Sequence, residues 1–123
     1  MRQACEELNE LSLDLKELCV RVEYDRDLLD DVFDIYKSEF PRLQQSLKGA
    51  VERGDMEQVQ VAAHTLKGML ASLSFRAASA AAMRIERLAR TDEAVGIPAE
   101  LVRMEHSARA SQADLEQFCA VAY

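Results

Sequence analysis

From Leu101 to Ala122 the chain repeats apolar or small residues at alternating intervals of three and four. Leu101, Met104, Ala108, Ser111, Leu115, Phe118 and Ala122 carry the pattern, with no glycine or proline between them. That is the period of one helix face, and over this length it describes a bundle or coiled-coil seam. The same period runs through Leu29, Val32, Phe33, Tyr36, Phe40, Leu43, Leu47, Ala50 and Val51. It returns in Val59, Ala62, Ala63, Leu66, Leu70 and Leu73. A chain of 123 residues, 49% hydrophobic and interrupted by only four Gly and two Pro, is sized for one domain, 1–123, with one core. Its Ala, Leu, Glu, Arg and Gln are good helix formers.

Boundary residues divide the pattern. Asp14 is placed to cap a short helix that ends near Val22, with Glu17 at the capping-box position and Leu13 and Leu18 as a hydrophobic staple. Residues 1–12 would add a helical extension. A long helix is expected from about Asp25 to Arg53, closed by Gly54. Pro41 should kink it or split it into two helices almost in line. Asp55 then caps a helix to about Leu73, with Gln58 at the capping-box position. Ser74 is expected to cap the next helix, Phe75 to about Arg90, after a turn so short that the two must run antiparallel. That second helix is rich in alanine (Ala77, Ala78, Ala80, Ala81, Ala82, Ala89), which permits close approach. Thr91 to Gly96 reads as a loop, and Pro98 fits the first position of the last helix. The predicted fold is all-α: an antiparallel four-helix bundle with a short additional N-terminal helix.

The formal net charge of −7 disfavours nucleic acid as a partner. The charge is uneven, however: between Arg42 and Arg90 eight basic residues face four acidic ones. Cys5, Cys19 and Cys119 are odd in number and lack metal-ligand spacing, which points to a reducing, cytoplasmic setting. No apolar run approaches the ~20 residues that span a bilayer, and the N-terminus has no signal-peptide core, so no membrane insertion is expected.

Ala63-His64-Thr65-Leu66-Lys67-Gly68 is the most informative local run. At about 100° per residue His64 points roughly 155° from the centre of its helix's apolar stripe, toward water. Lys67 and Gly68 follow at i+3 and i+4, the spacings that place residues side by side. Glycine inside a helix costs about 1 kcal/mol relative to Ala. The helix therefore displays an imidazole, a nearby cation and bare backbone, as a phosphorylatable histidine approached by another protein would require. Val61 and Ala71 share that exposed face and, with Gly68, are candidate partner-docking residues. Glu86 on the following helix is a candidate to orient the ring, or only to pair with Arg90 at i+4. His106 reads as a surface residue.

Other chemistries fit less well. A metal site needs three or four ligands, and His64 and His106 are far apart with no Cys nearby, so no metal ligand is assigned. A metal-dependent hydrolase on a four-helix bundle would use Glu-x-x-His pairs, but Val61 and Arg103 stand where those carboxylates belong. No Gly-rich loop cradles a nucleotide, so a phosphoryl group on His64 must come from, and leave to, another protein. A helical interaction domain of the same fold that does not use His64 remains the alternative.

The run Ala63 to Gly68, with Asp14-Leu15 to Leu28-Leu29 before it and Phe40-Pro41 to Gly54-Asp55 flanking it, resembles the histidine-containing phosphotransfer (HPt) domain family over residues 13–118. Glu86 lies where that family often has Gln or Glu near the active imidazole. Ser74 stands where it commonly has Gly. The resemblance implies a phosphorelay intermediate, not an enzyme. His64 would take a phosphoryl group from a receiver-domain aspartate through Nε2 and give it to a second receiver, with Lys67 beside the phosphoryl oxygens. It implies response-regulator receivers and a sensor or hybrid histidine kinase as partners, and a monomer. The Mg²⁺ would be on the receiver, with no cofactor on this chain.

Overall fold

The computed structural model describes residues 1–2 and 13–121. Apart from its first two residues, the expected N-terminal extension lies outside them, as does the last seam residue, Ala122. Among the described residues five α-helices form: α1 (Leu15–Arg21), α2 (Arg26–Arg53), α3 (Met56–Ser72), α4 (Arg76–Arg90) and α5 (Ile97–Val121). A 3₁₀ turn, Ala94–Gly96, occupies the expected loop and leads into α5, with Pro98 in its first turn.

The ends follow the side chains. Asp14 accepts the Glu17 amide at 3.0 Å, Asp25 those of Asp27 and Leu28, and Asp55 that of Gln58 at 3.2 Å, each occupying amides that a helix start leaves without partners. Gly54 closes α2 at φ 67. Glu17 does not complete a capping box: the Asp14 amide donates to the Ser74 carbonyl instead. Glu17 accepts the Ser74 hydroxyl at 2.8 Å and ion-pairs with Arg21 and Arg76, tying α1 to the α3–α4 turn.

The expectation for Ser74 is corrected. Ser74 does not cap α4; Phe75 holds that position without a side-chain bond. Ser74 is left-handed at φ 58 and fully buried, and its amide donates to the Ala71 carbonyl while that of Phe75 donates to Leu70. It terminates α3 as glycine commonly does, and its hydroxyl is directed at Glu17 instead of a helix start. Of the two outcomes expected at Pro41, the split does not occur: α2 runs through it for 28 residues. Proline removes the bond to the Lys37 carbonyl, but Tyr36 and Phe40 before it and Leu47 and Ala50 after it are all buried against the bundle.

Consecutive helices pack together, α2 on α3, α3 on α4 and α4 on α5. The ion pair from Lys48 to Glu105, at 3.0 Å, joins α2 to α5. The predicted stripes fill the core: Leu29, Phe33, Tyr36, Leu47, Val59, Ala63, Leu66, Leu70, Met104, Ala108, Leu115 and Phe118 are buried. The α3–α4 contact is the most extensive, and α4 turns Ala78, Ala81, Ala82, Ile85 and Ala89 inward. Glu100, also buried, receives Arg84 and Arg103, each at 2.7 Å, and so fixes the start of α5 to α4.

Two outcomes test this architecture. Tyr36, 2% exposed, stacks on Phe40 and meets Phe75 edge-on, yet its buried hydroxyl has no partner among the described residues. Burial pushes that phenol well above its ordinary range. Tyr36→Phe keeps the rings and removes the unsatisfied group, so urea unfolding should show a gain of about 1 kcal/mol. The Arg76 guanidinium and the Ser74 hydroxyl hold the Glu17 carboxyl down from 4.5 to about 2. A carboxylate depressed on folding stabilises above its unfolded value, and that contribution is lost as pH falls toward the folded one. Acid titration should therefore weaken α1 attachment between about pH 4.5 and 2. Glu17→Gln should flatten the profile in that window, read by α1 amide exchange.

Candidate functional site

The site is assembled across the α3–α4 pair. Ala62, Ala63 and Leu66 turn inward and set the rotation of α3, so the His64 side chain emerges 67% exposed. Directly across, Glu86 descends from α4 with its carboxylate only 11% exposed. Its Oε2 lies 2.8 Å from His64 Nδ1 and its Oε1 2.9 Å from Lys67 Nζ. Arg90 approaches Oε2 at 3.6 Å. Both alternatives weighed for Glu86 are therefore present, and the cross-helix bonds are the shorter.

Lys67, ahead of the weaker His64 contribution, holds the Glu86 carboxyl below the usual range against the opposing effect of burial. An ionised carboxylate only accepts. Nδ1 must then be the donating N–H, which in the neutral ring puts the lone pair on Nε2, a nitrogen with no partner among the described residues. The arrangement is thus an imidazole oriented through Nδ1, with Nε2 left free; in its neutral form such a ring offers Nε2 as a nucleophile.

The neighbouring backbone is fixed as well. The Ser79 hydroxyl donates to the Lys67 carbonyl at 3.0 Å, and Thr65 donates to Val61 at 3.1 Å. Gly68 is exposed, and a Cβ built there meets nothing within 4 Å. Val61 is 57% exposed and Ala71 half-buried on the same side of α3. His64 stands on a ridge between two shallow grooves. One includes Val61 and Thr65 with Leu43 and Arg53 of α2. The other includes Lys67 and Ala71 with Met83 of α4 and Arg21 of α1. His106 is exposed on α5 and is not part of this assembly. Among the described residues no three His, Cys, Asp or Glu side chains come together as a metal ligand set.

A family model described as the Hpt domain matches residues 31–120. The chain belongs to the Hpt domain family. Hpt domains are helical bundles that serve phosphotransfer in two-component systems, working with receiver domains and kinases as modules rather than as classical enzymes. No curated protein and no solved structure matches this Hpt chain. No helix among its described residues is long and apolar enough to cross a membrane.

Sequence reasoning passed over Ser79 and Met83. Met83 is 38% exposed and lies three residues before Glu86, the spacing that puts both on one side of α4; that interval was its available signal. The Ser79 bond had none, because it depends on the rotation of α4 against α3. Since the Gly68 Cβ position is open, Gly68→Ala should raise the melting temperature of the free protein, with a gain of up to about 1 kcal/mol from helix propensity.

Proposed function

We propose that this Hpt domain relays a phosphoryl group through His64. The observation that carries the reading is the 2.8 Å bond from Nδ1 of an exposed imidazole to a buried carboxylate, which orients Nε2 outward as the nucleophile. Nε2 attacks the phosphorus of an aspartyl phosphate on a receiver. The P–O bond breaks toward the aspartate, and the reverse step delivers the group to a second receiver. Lys67, held 2.9 Å from Glu86, is within one side chain's motion of the phosphoryl oxygens and supplies charge to them. Val61, Gly68 and Ala71 form the docking face, with Gly68 leaving room for the receiver's acidic pocket.

On this reading residues 1–123 are one domain with its core at about 13–118. It acts as a cytoplasmic monomer downstream of a sensor or hybrid kinase. Mg²⁺ belongs to the receiver, and no cofactor is assigned to this chain.

Two variants test the assignment. His64→Gln removes an exposed nucleophile while keeping a helix former, so unfolding should be nearly unchanged and acid-labile phosphoryl label should vanish. Label retained in that variant sinks the site. Gly68→Gln fills the open space beside His64. Phosphoramidate, which is small, should still label it, whereas transfer from a phosphorylated receiver should fall by about tenfold or more. Intact receiver transfer would move the docking face elsewhere.

A further inference from the structure

The bond between His64 and Glu86 has a second consequence once a phosphoryl group sits on Nε2. A phosphorylated imidazole exists in two forms. With a proton on Nδ1 it is a cation, and breaking the N–P bond releases neutral imidazole. Without that proton the leaving group is an imidazolide anion, which departs far less readily. Outward transfer therefore needs the Nδ1 proton in place.

We propose that Glu86 holds that proton on the phosphorylated ring and so keeps the histidine able to give up its phosphoryl group as well as accept it. This rests on His64 being the phosphoryl carrier. The step balances without any external acid or base. On loading, the Nε2 lone pair forms the N–P bond, the P–O bond breaks to the donor carboxylate, and the ring becomes a cation with its proton still on Nδ1. On unloading, an acceptor oxygen forms the new bond to phosphorus and the N–P electron pair returns to Nε2. The ring is neutral again, with the same proton on the same nitrogen throughout.

The geometry suits this role more than simple orientation does. An amide oxygen would orient Nδ1–H equally well, but a carboxylate adds a negative charge that favours the cationic ring. Glu86 Oε2 is 2.8 Å from Nδ1, so its charge acts on the ring through a direct hydrogen bond, and the Glu86 side chain is only 11% exposed. Lys67 from α3 and Arg90 from α4 keep Glu86 ionised, at 2.9 and 3.6 Å. Lys67 contacts Oε1, leaving Oε2 for the ring, so the neighbouring cation does not displace the imidazole from its partner. Arg53, from α2, lines the groove on the other side of Val61 and Thr65. Glu86 is thus a positioning residue with an electrostatic function: it acts on the reacting atom through the ring.

The test uses the full chain labelled on His64 with phosphoramidate, so no particular receiver is needed. ¹⁵N NMR of the phosphorylated ring follows Nδ1 as pH rises, and ³¹P NMR follows loss of the phosphoryl group to water. Glu86→Gln should lower the pH at which the ring loses its Nδ1 proton by about one unit or more. The pH profile of phosphoryl loss should shift by the same amount, the variant's phosphohistidine outlasting the wild type's above neutrality. Glu86→Asp, charged but shorter, should fall between the two and serves if Glu86→Gln does not fold. The shift should persist in a Lys67→Met background. Superimposable profiles for the wild type and either Glu86 variant overturn the proposal. So does a shift that disappears with Lys67→Met, because the effect would then belong to a released lysine. Failure of phosphoramidate to label wild-type His64 is a separate result, and overturns the carrier reading itself.

Discussion

The close antiparallel contact of α3 with α4 is the constraint on which the rest of the molecule depends. It begins at Leu73-Ser74-Phe75, where one left-handed residue reverses the chain. α4 buries Ala78, Ala81, Ala82 and Ala89, small residues that allow its neighbours to approach closely. Were those residues larger, the side chain of Glu86 would stop short of His64. The approach of Glu86 to His64 therefore depends on how closely the two helices pack. α1 reinforces the same place, since Glu17 accepts the hydroxyl of the residue that makes the turn. A left-handed non-glycine residue carries backbone strain of about 1–3 kcal/mol, and Ser74 is held in that conformation with its hydroxyl bonded to Glu17.

Most of the fold was legible because its determinants are local. Asp14, Asp25, Asp55 and Gly54 act within three or four residues of themselves, and the seams of α2, α3 and α5 follow a fixed period. The misreadings fall where a distant partner decides. Ser74 has the chemistry of a cap, yet Glu17, 57 residues away in sequence, claims its hydroxyl. Glu17 has the position of a capping-box residue, yet Ser74 and Arg76 claim its carboxylate. At Pro41 the helix continues instead of splitting, with buried residues on both sides. At the site, the exposure of His64 followed from helix angle alone. The reach of Glu86 did not, because it requires knowing how far apart two helices lie and how one is rotated against the other.

Charge placement links the fold to the chemistry. The chain is acidic as a whole, but the carboxylate nearest the reactive ring is surrounded by cations: Lys67 at 2.9 Å and Arg90 at 3.6 Å. A buried carboxylate without such neighbours would rise in pKa and take up a proton. It would then cease to be a pure acceptor, and the tautomer of the imidazole would no longer be imposed. The positive bias between Arg42 and Arg90 thus has a local task besides any attraction of an acidic partner.

The open space over Gly68 also bears on how long a partner stays. A position that offers no side chain adds access but no adhesion, so it contributes nothing to residence time. On the proposed docking face, residence would be set by the rim: Val61, Ala71, Met83 and the cations Arg21 and Arg76 along the neighbouring groove. Differences in affinity among related complexes arise mainly in dissociation rates. On that reading, lifetime and reactivity would fall to separate residues. Substitutions at the rim can lengthen or shorten an encounter, and so change which partner is served first, while the imidazole and its carboxylate stay as they are.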